Sequence, residues 1–238
     1  MTETVLIAGV GEQLGTGLAR AFAGVSEATA GGETASDGTG SEVALLARSS
    51  DYVEQLASDI RAAVAVTGDV TDPESVTRAV EAVEDAFGPV DVLIHNASAP
   101  GGDLADPDSF ATPVSVRVEG AGNLVSEVLP GMRERESGTI LFSGTTFATD
   151  GSGRLPGWAA AAAGTRGLAR SLAERAGEDG VHVCYVALGG SIPPADARFE
   201  PANAMDAEQI GETFVELANQ PETAWTSEID LRPSHLPP

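Results

Sequence analysis

Residues 5–15 read VLIAGVGEQLG, and this stretch decides the fold. The apolar residues at 5–8 predict a buried strand, and a glycine-rich turn follows it at once. Apolar residues then recur at helical spacing through residues 14–23. A strand, a glycine-rich turn and a helix in this order predict the first unit of an α/β sheet, with the turn at the carboxyl end of the strand.

Strand and helix patterns alternate along the rest of the chain. Further strands are predicted at 43–47, 62–67, 90–94, 138–142, 181–187 and 227–231, and further helices at 51–60, 72–87, 113–135, 157–176 and 206–218. Pro130 is expected to bend or interrupt the helix at 113–135. Such alternation favours parallel strands with right-handed crossovers. We therefore expect one doubly wound, three-layer α/β domain of the Rossmann type over residues 1–238, with a mostly parallel seven-stranded sheet. Residues 26–41 are expected to form a flexible acidic surface insert.

The charge of the chain is extreme. Thirteen basic residues, all arginine, stand against 36 acidic ones, for a formal net charge of −23. So acidic a surface repels nucleic acid and anionic membranes, and we expect neither as a partner. Because concentrated salt screens self-repulsion, the composition predicts a halophilic protein, with a generally acidic protein as the alternative. The absence of lysine also excludes a lysine Schiff base and a Walker-type phosphate lysine.

Other compositional features bear on location and metal binding. No apolar run approaches the roughly 18 residues that a membrane helix needs. The first four residues lack the basic region of a signal peptide, so a cytoplasmic location is expected. The single cysteine, Cys184, lies in an apolar strand pattern and is expected to be a buried free thiol. The three histidines show no metal-ligand spacing, so no metal site is expected.

The turn after the first strand is the candidate phosphate site. Gly9, Gly11 and Gly15 let the backbone turn tightly and approach a pyrophosphate that rests on the helix N-terminus. Gln13 and Leu14 lie in the same turn and are candidate contacts. A tight structural turn without a ligand is the alternative.

Two further strand ends are candidates for the adenosine half of a dinucleotide. Arg48 follows the second strand, where an arginine can pair with a 2′-phosphate, and no acidic residue stands there to hold a 2′-hydroxyl. This favours NADP over NAD, although a solvated surface arginine remains the alternative. Asp69 and Val70 end the third strand, where the carboxylate can reach an adenine amine or simply form a turn.

Several short motifs resemble those of the short-chain dehydrogenase/reductase family. Residues 68–72 (GDVTD), 95–98 (HNAS), 138–144 (GTILFSG) and 189–192 (GGSI) are similar to its D-V, N-N-A-G, G-x-I-V-N-I-S and nicotinamide-contacting stretches. The resemblance covers nearly the whole chain outside the insert. It implies an oxidoreductase that binds NAD(P), with Asn96, Ala97, Gly189 and Ile192 among its cofactor contacts.

The glycine turn departs from the family pattern T-G-x-x-x-G-x-G. In one register Gln13 stands at the middle glycine and Gly15 at the last, so a side chain would crowd the pyrophosphate. The alternative register takes Gly11, Gly15 and Gly17 as the three glycines and lengthens the turn.

The catalytic positions depart further. The resemblance places Thr145 at the serine, Trp158 at the tyrosine, Ala162 at the lysine and Arg117 at the relay asparagine. An indole donates hydrogen bonds but is no acid at neutral pH, and no lysine exists to lower the pKa of a tyrosine. Both tyrosines, at 52 and 185, are expected away from the site. The standard Ser-Tyr-Lys site for carbonyl reduction is therefore degraded.

Three functions remain open from the sequence. The first is an NAD(P)(H)-binding protein with non-standard or lost catalysis, a pseudoenzyme. The second is an active NADP-dependent oxidoreductase whose proton comes from water, substrate or His95, although a structural role is the stronger expectation for that histidine. The third is a structural or regulatory subunit that binds no nucleotide. The small-molecule substrate is not readable, but segments 103–113 and 193–204 are expected to shape its pocket. A homodimer or homotetramer is expected through helices 113–135 and 157–176.

Overall fold

The computed structural model describes residues 2–25, 40–194, 197–198 and 201–236. Its strands are β1 (Thr4–Ala8), β2 (Glu42–Ala47), β3 (Ala63–Thr67), β4 (Val92–His95), β5 (Gly138–Thr145), β6 (Val181–Leu188) and β7 (Glu228–Leu231). Its helices are α1 (Leu14–Phe22), α2 (Ser50–Asp59), α3 (Pro73–Phe87), α4 (Pro107–Val114), α5 (Gly120–Glu134), α6 (Phe147–Asp150), α7 (Pro156–Ala176) and α8 (Ala207–Ala218). Most of the predicted insert, residues 26–39, lies outside the described residues.

The strands form one sheet in the order β3-β2-β1-β4-β5-β6-β7, and every neighbouring pair is parallel. The chain starts at β1, moves outward to β3 and then returns to β4 on the other side. The order therefore reverses between β1 and β4, which is the switch point of a doubly wound sheet. The predicted three-layer α/β fold is confirmed, and the sheet is wholly rather than mostly parallel among the described strands.

Helices cover both faces of the sheet. Alternate residues of β1 point to opposite faces, so Leu6 and Ala8 join one buried cluster while Val5 and Ile7 join the other. Helices α3, α5 and α7 pack on the first face, and α1, α2 and α8 pack on the second. Because both faces are buried, the central strands are apolar throughout, as the sequence pattern indicated.

One helical run differs from its prediction. It begins six residues earlier than expected, at Pro107, because the Asp106 side chain accepts hydrogen bonds from the backbone N–H groups of Asp108 and Ser109. It also continues past Pro130 to the end of α5, since one lost N–H is outweighed by buried neighbours such as Leu129. The departure from α geometry lies instead at Ser115–Glu119, a π-helical turn that joins α4 to α5.

Two expectations from composition concern buried and membrane-spanning segments. Cys184 is a buried free thiol in β6, as predicted. Among the residues that the structure describes, no helix is long and apolar enough to cross a membrane.

Candidate functional site

A cavity of about 1100 Å³ opens at the carboxyl ends of the central strands. It spans the switch point between β1 and β4, where doubly wound sheets bind their ligands. Of the predicted site residues, all but Asp69 line it: Gly9, Gly11, Gln13, Leu14, Gly15, Arg48, Val70, Asn96, Ala97, Thr145, Trp158, Gly189 and Ile192. The rule that ligands bind at the carboxyl ends of parallel strands thus brings together residues from six strand ends, β1 to β6.

The turn between β1 and α1 needs glycine at two positions. Gly9 has a φ of 97°, and a Cβ there would lie 2.3 Å from the backbone nitrogen of Ala97. A Cβ on Gly15 would lie 2.7 Å from the Cα of Val10. Gly17, by contrast, allows close packing of α1 on α8, because a Cβ there would lie 2.3 Å from the carbonyl oxygen of Ala207. Gly17 does not line the cavity, which favours the register that puts Gln13 at the middle glycine.

Gln13 links two walls of the cavity. It stands immediately before α1, which begins without a side-chain cap. Its Nε2 donates a hydrogen bond to the backbone oxygen of Ile192, in the segment that follows β6. The side chain therefore joins the phosphate-type turn to the segment that the family resemblance assigns to the nicotinamide.

Asn96, at the end of β4, forms hydrogen bonds with the ends of β1 and β5. Its backbone nitrogen donates to Ala8 over 2.8 Å, and its Nδ2 donates to the oxygen of Gly9 over 2.7 Å. Its Oδ1 accepts from the Ser143 hydroxyl at 2.7 Å. Sequence reasoning did not single out Ser143, although it lies two residues before Thr145 and hence on the same face of β5. These bonds hold the glycine turn against β4 and β5.

The adenosine end of the cavity has a basic residue but not the predicted carboxylate. Arg48 is exposed and lines the wall. The Asp69 carboxylate turns instead towards Thr71, from which it accepts bonds of 2.9 Å from the backbone N–H and 2.8 Å from the hydroxyl. Those hydrogen bonds lower the pKa of Asp69. Asp69 thus forms a local turn, and its neighbours Gly68 and Val70 line the cavity in its place.

Three of the four family catalytic positions, those of the serine, the tyrosine and the lysine, carry little acid–base chemistry. Thr145 is buried and lines the cavity with its hydroxyl-bearing side chain at the end of β5. Trp158 is half-buried, and its Nε1 donates to the oxygen of Ala99 over 3.1 Å, so its single donor is already engaged. Ala162 is fully buried and does not line the cavity. These positions therefore offer one hydroxyl and no evident proton donor. Ser143 and Tyr52 also line the cavity, and the expectation that Tyr52 lies away from the site was wrong.

Tyr185 lies nearer to this region than the sequence predicted. Its ring covers Gly144, where a Cβ would lie 2.0 Å from the ring carbon Cζ. Its hydroxyl accepts from the backbone N–H of Thr145 at 3.1 Å and lies 3.5 Å from the oxygen of Ala162. The residue is fully buried behind the cavity wall, and this burial raises the pKa of the Tyr185 hydroxyl. It supports the end of β5 but does not line the cavity.

Arg117 brings a buried cation to the same wall. It lies in the π-helical turn, is only 4% exposed and lines the cavity. Its Nη2 donates to the oxygen of Ser143 over 2.9 Å, and its Cζ lies 5.1 Å from the centre of the Trp158 ring. Its carbonyl accepts from the Thr165 hydroxyl and contacts His95 Nε2. Burial lowers the pKa of the Arg117 guanidinium, but arginine in proteins keeps its charge.

His95 is a structural residue rather than a cavity residue. It is buried, contacts the carbonyl of Arg117 at 3.2 Å and packs edge-on against Phe142. Burial lowers its pKa to about 3, so the ring is neutral near neutral pH. His95 does not line the cavity, so it does not serve there as the proton donor that the sequence left open.

Of the two segments expected to shape a substrate pocket, only one does so. Residues 103–113 do not line the cavity, because most of them belong to α4, which packs against α7, and this prediction was wrong. The other segment contributes Pro193, Pro194, Ala197, Pro201 and Asn203. No cluster of three or more histidine, cysteine, aspartate or glutamate side chains able to hold a metal occurs in the described ranges.

Comparisons with known proteins agree on one family. The model of the short chain dehydrogenase family matches residues 3–202 of this chain. An uncharacterized short-chain type dehydrogenase/reductase of Sinorhizobium fredii is 32% identical over 161 residues, which is 63% of either chain. A 3-oxoacyl-[acyl-carrier-protein] reductase of Vibrio cholerae is 32% identical over 123 residues, half of either chain. The chain thus matches only half to somewhat under two thirds of the length of these relatives.

Solved structures share the fold across nearly their whole length. An alcohol dehydrogenase from the archaeon Thermococcus sibiricus, complexed with 5-hydroxy-NADP, has a TM-score of 0.83 and 21% identity, covering 100% of this chain and 99% of that one. A metagenomic short-chain oxidoreductase in complex with NADP has a TM-score of 0.80 and 21% identity, covering 98% and 99%. At this identity the likeness supports the architecture.

Proposed function

We propose that this chain, which belongs to the short chain dehydrogenase family, binds a nicotinamide dinucleotide in the cavity at its switch point and has lost standard carbonyl reduction. The observation that carries the proposal is the glycine turn of residues 9–15, which lines that cavity and leads into α1. Backbone N–H groups at a helix N-terminus and the helix dipole both favour a phosphate there. The two similar solved structures described above contain NADP-type ligands, which supports a nicotinamide dinucleotide in this cavity.

The residues of the cavity fit such a ligand along its length. Close packing at Gly9 and Gly15 shapes a turn into which no side chain from these positions projects. Arg48, at the end of β2, would pair with a 2′-phosphate, which supports NADP over NAD. The nicotinamide half would lie between Gly189, Ile192 and the end of β5. The Gln13 side chain obstructs this placement of the dinucleotide. Its hydrogen bond to the backbone oxygen of Ile192 joins the glycine turn to the segment that would contact the nicotinamide.

The chemistry of the site supports non-standard or lost catalysis. A bound dinucleotide supplies hydride transfer, for which the protein mainly provides positioning. The chain itself offers the Thr145 hydroxyl to orient an oxygen, while the Trp158 indole is bonded to Ala99 and cannot act as an acid. A ketone needs a proton donor at its oxygen, so ketone reduction is the activity that this site supports least.

An active oxidoreductase is the second candidate, and Arg117 favours it. A guanidinium in a cavity wall stabilises negative charge that develops on a substrate oxygen. The proton would then come from water or from the substrate, since His95 does not reach the cavity. Enoyl or imine substrates ask less of the protein than ketones do.

Titration with NADPH and NADH in molar salt, followed by fluorescence, tests the binding proposal. We expect NADPH to bind more tightly, and Arg48→Met to remove the preference while leaving NADH binding unchanged. Absence of binding by either dinucleotide would overturn the proposal and favour a structural subunit, the third function left open by the sequence.

Turnover with a panel of ketones, enoyl compounds and imines separates the first two candidates. Lost catalysis predicts no NADPH oxidation with any of them, whereas the active alternative predicts turnover of the enoyl or imine group. A Trp158→Tyr, Ala162→Lys variant restores the family pair, but Arg117 would still lie against the ring at 158. We therefore expect ketone reduction to return only when Arg117→Asn is added, and its failure in all combinations would argue that the frame is also lost.

The remaining proposals concern the state of the protein in the cell. We propose a cytoplasmic, halophilic protein with an acidic surface that forms homodimers or homotetramers through α5 and α7. Nucleic acid and membranes are not proposed as partners, because the net charge of −23 opposes both. A monomer by light scattering in molar salt would overturn the oligomer.

A further inference from the structure

Arg117 is the only arginine that is buried among the described residues. Buried charged side chains are normally paired with an opposite charge, because desolvation of an unpaired charge is costly. Even exposed or half-buried arginines of this chain form ion pairs with carboxylates, and six do so, at positions 20, 78, 133, 135, 166 and 232. The buried arginine is therefore the one for which a carboxylate partner matters most.

No carboxylate of the described residues pairs with Arg117. Its Nη2 donates to a backbone carbonyl, that of Ser143, and its buried Nε has no hydrogen-bond partner. One face of the guanidinium packs on the Trp158 ring. The chain contains 36 acidic residues, so the lack of a partner at this position is not a shortage of acids.

The cation lies at one end of the cavity beside a free hydroxyl donor. Arg117, Ser143, Thr145 and Trp158 all line that end, where β5 finishes. The Thr145 hydroxyl oxygen accepts weakly from the N–H of Phe147 at 3.4 Å, and its own hydrogen has no acceptor among the described groups. The glycine turn and Arg48 lie on other parts of the wall, and they suit the phosphates of a dinucleotide.

We propose that this end of the cavity is a subsite for a carboxylate of the substrate, with Arg117 as its counter-charge and Thr145 as its second hydrogen-bond donor. The inference rests on the proposed function only in naming the carboxylate as part of a substrate that lies against the nicotinamide. Guanidinium–carboxylate bonds are charge-assisted and stronger than neutral ones, and they strengthen where water is excluded. The bound carboxylate supplies the negative charge that no carboxylate of the described residues provides to Arg117. The subsite therefore binds acidic substrates in preference to neutral ones.

Butyrate and butyramide test the subsite, because they differ in charge but hardly in shape. A Trp225→Phe background leaves Trp158 as the only tryptophan, so that its fluorescence reports on ligands beside Arg117. At constant ionic strength and without dinucleotide, we expect butyrate to bind about tenfold or more tightly than butyramide. Arg117→Met should abolish this preference, Arg117→Lys should keep part of it, and Thr145→Val should weaken butyrate alone.

Arg48→Met is the matched control, since it removes an arginine from another part of the same wall. It should leave the preference for butyrate unchanged. Equal binding of butyrate and butyramide by the unsubstituted site, or no binding of either, would overturn the proposal even if Arg117→Met does not fold. A preference for inorganic phosphate over butyrate would overturn it in favour of a phosphate subsite. Butyrate binding in a protein that binds no NADPH would instead refute the proposed function and leave the carboxylate subsite standing.

Discussion

Replacing Gln13 with glycine should open the dinucleotide site. The Gln13 Nε2 donates to the oxygen of Ile192, and both residues line the cavity. If a dinucleotide is to pass between the glycine turn and the segment after β6, this hydrogen bond must break. A neutral hydrogen bond in a protein contributes about 0.5–1.5 kcal/mol net. Removing the hydrogen bond alone should therefore lower the Kd for NADPH by about 2- to 13-fold, and Gln13→Gly should gain more than this because it also removes the bulk of the side chain.

Gln13→Gly should leave the fold intact. Gln13 precedes α1 without capping it through its side chain, and glycine is an accepted residue at that position. The Kd for NADPH is measured by fluorescence titration in molar salt, beside a melting curve for each variant. Gln13→Ala is the matched control for sterics, because it removes the hydrogen bond but keeps a Cβ in the turn. We expect its affinity to lie between those of the wild type and Gln13→Gly.

Two results would refute this reasoning in different ways. An unchanged or higher Kd for Gln13→Gly, with an unchanged melting temperature, would mean that the side chain assists the ligand and does not obstruct it. Equal gains from Gln13→Ala and Gln13→Gly would assign the whole effect to the hydrogen bond and none to the bulk of the side chain.

Three further predictions concern stability. Gly144→Ala should lower the free energy of unfolding by about 1–3 kcal/mol or more, because its Cβ would lie 2.0 Å from the Tyr185 ring. Gly122→Ala in α5 is the control: its Cβ meets nothing within 4 Å, and it should raise the free energy of unfolding by about 0.5–1 kcal/mol. Similar denaturant midpoints for the two variants would contradict the packing of Tyr185 on Gly144. Burial lowers the pKa of His95 from 6.5 to about 3, so the unfolded chain binds the extra proton between these values and stability falls as the pH drops through that range. His95→Asn should remove up to about 5 kcal/mol of this acid sensitivity in pH-dependent unfolding, and an unchanged slope would count against a buried neutral ring. The melting temperature should rise between dilute buffer and molar salt, where the Debye length falls to about 3 Å, and a flat response would argue against adaptation to salt.

Local patterns in the sequence were sufficient for the architecture. Hydrophobic periodicity and glycine placement depend on neighbours a few residues away, so they identified each strand and most helix ends. The prediction for residues 103–113 was wrong because the capping carboxylate of Asp106 starts a helix ahead of the apolar pattern, and that helix packs against α7. Pro130 was expected to bend or interrupt its helix, and it does not interrupt it, since the packing of α5 outweighs one missing N–H.

The candidate site was predicted at the level of strand ends and not at the level of contacts. The rule that ligands bind at the carboxyl ends of parallel strands brought Gly9, Arg48 and Thr145 to one cavity. It could not tell that the Asp69 carboxylate would turn to Thr71, because that choice is made by two local hydrogen bonds. Nor could it indicate Ser143, whose bond to Asn96 joins two strands.

By itself, the sequence determined the doubly wound sheet, the glycine turn and the absence of a tyrosine–lysine pair, since each follows from residue types and their spacing. Only the tertiary structure decided which distant groups meet. Gln13 and Ile192 are 179 positions apart, and Tyr185 and Thr145 are 40 apart. Contacts of this kind depend on the order and register of seven strands. The same packing buries Arg117 against Trp158 with no carboxylate of the described residues beside it, and no local sequence pattern indicates that a buried charge lacks a counter-charge among them.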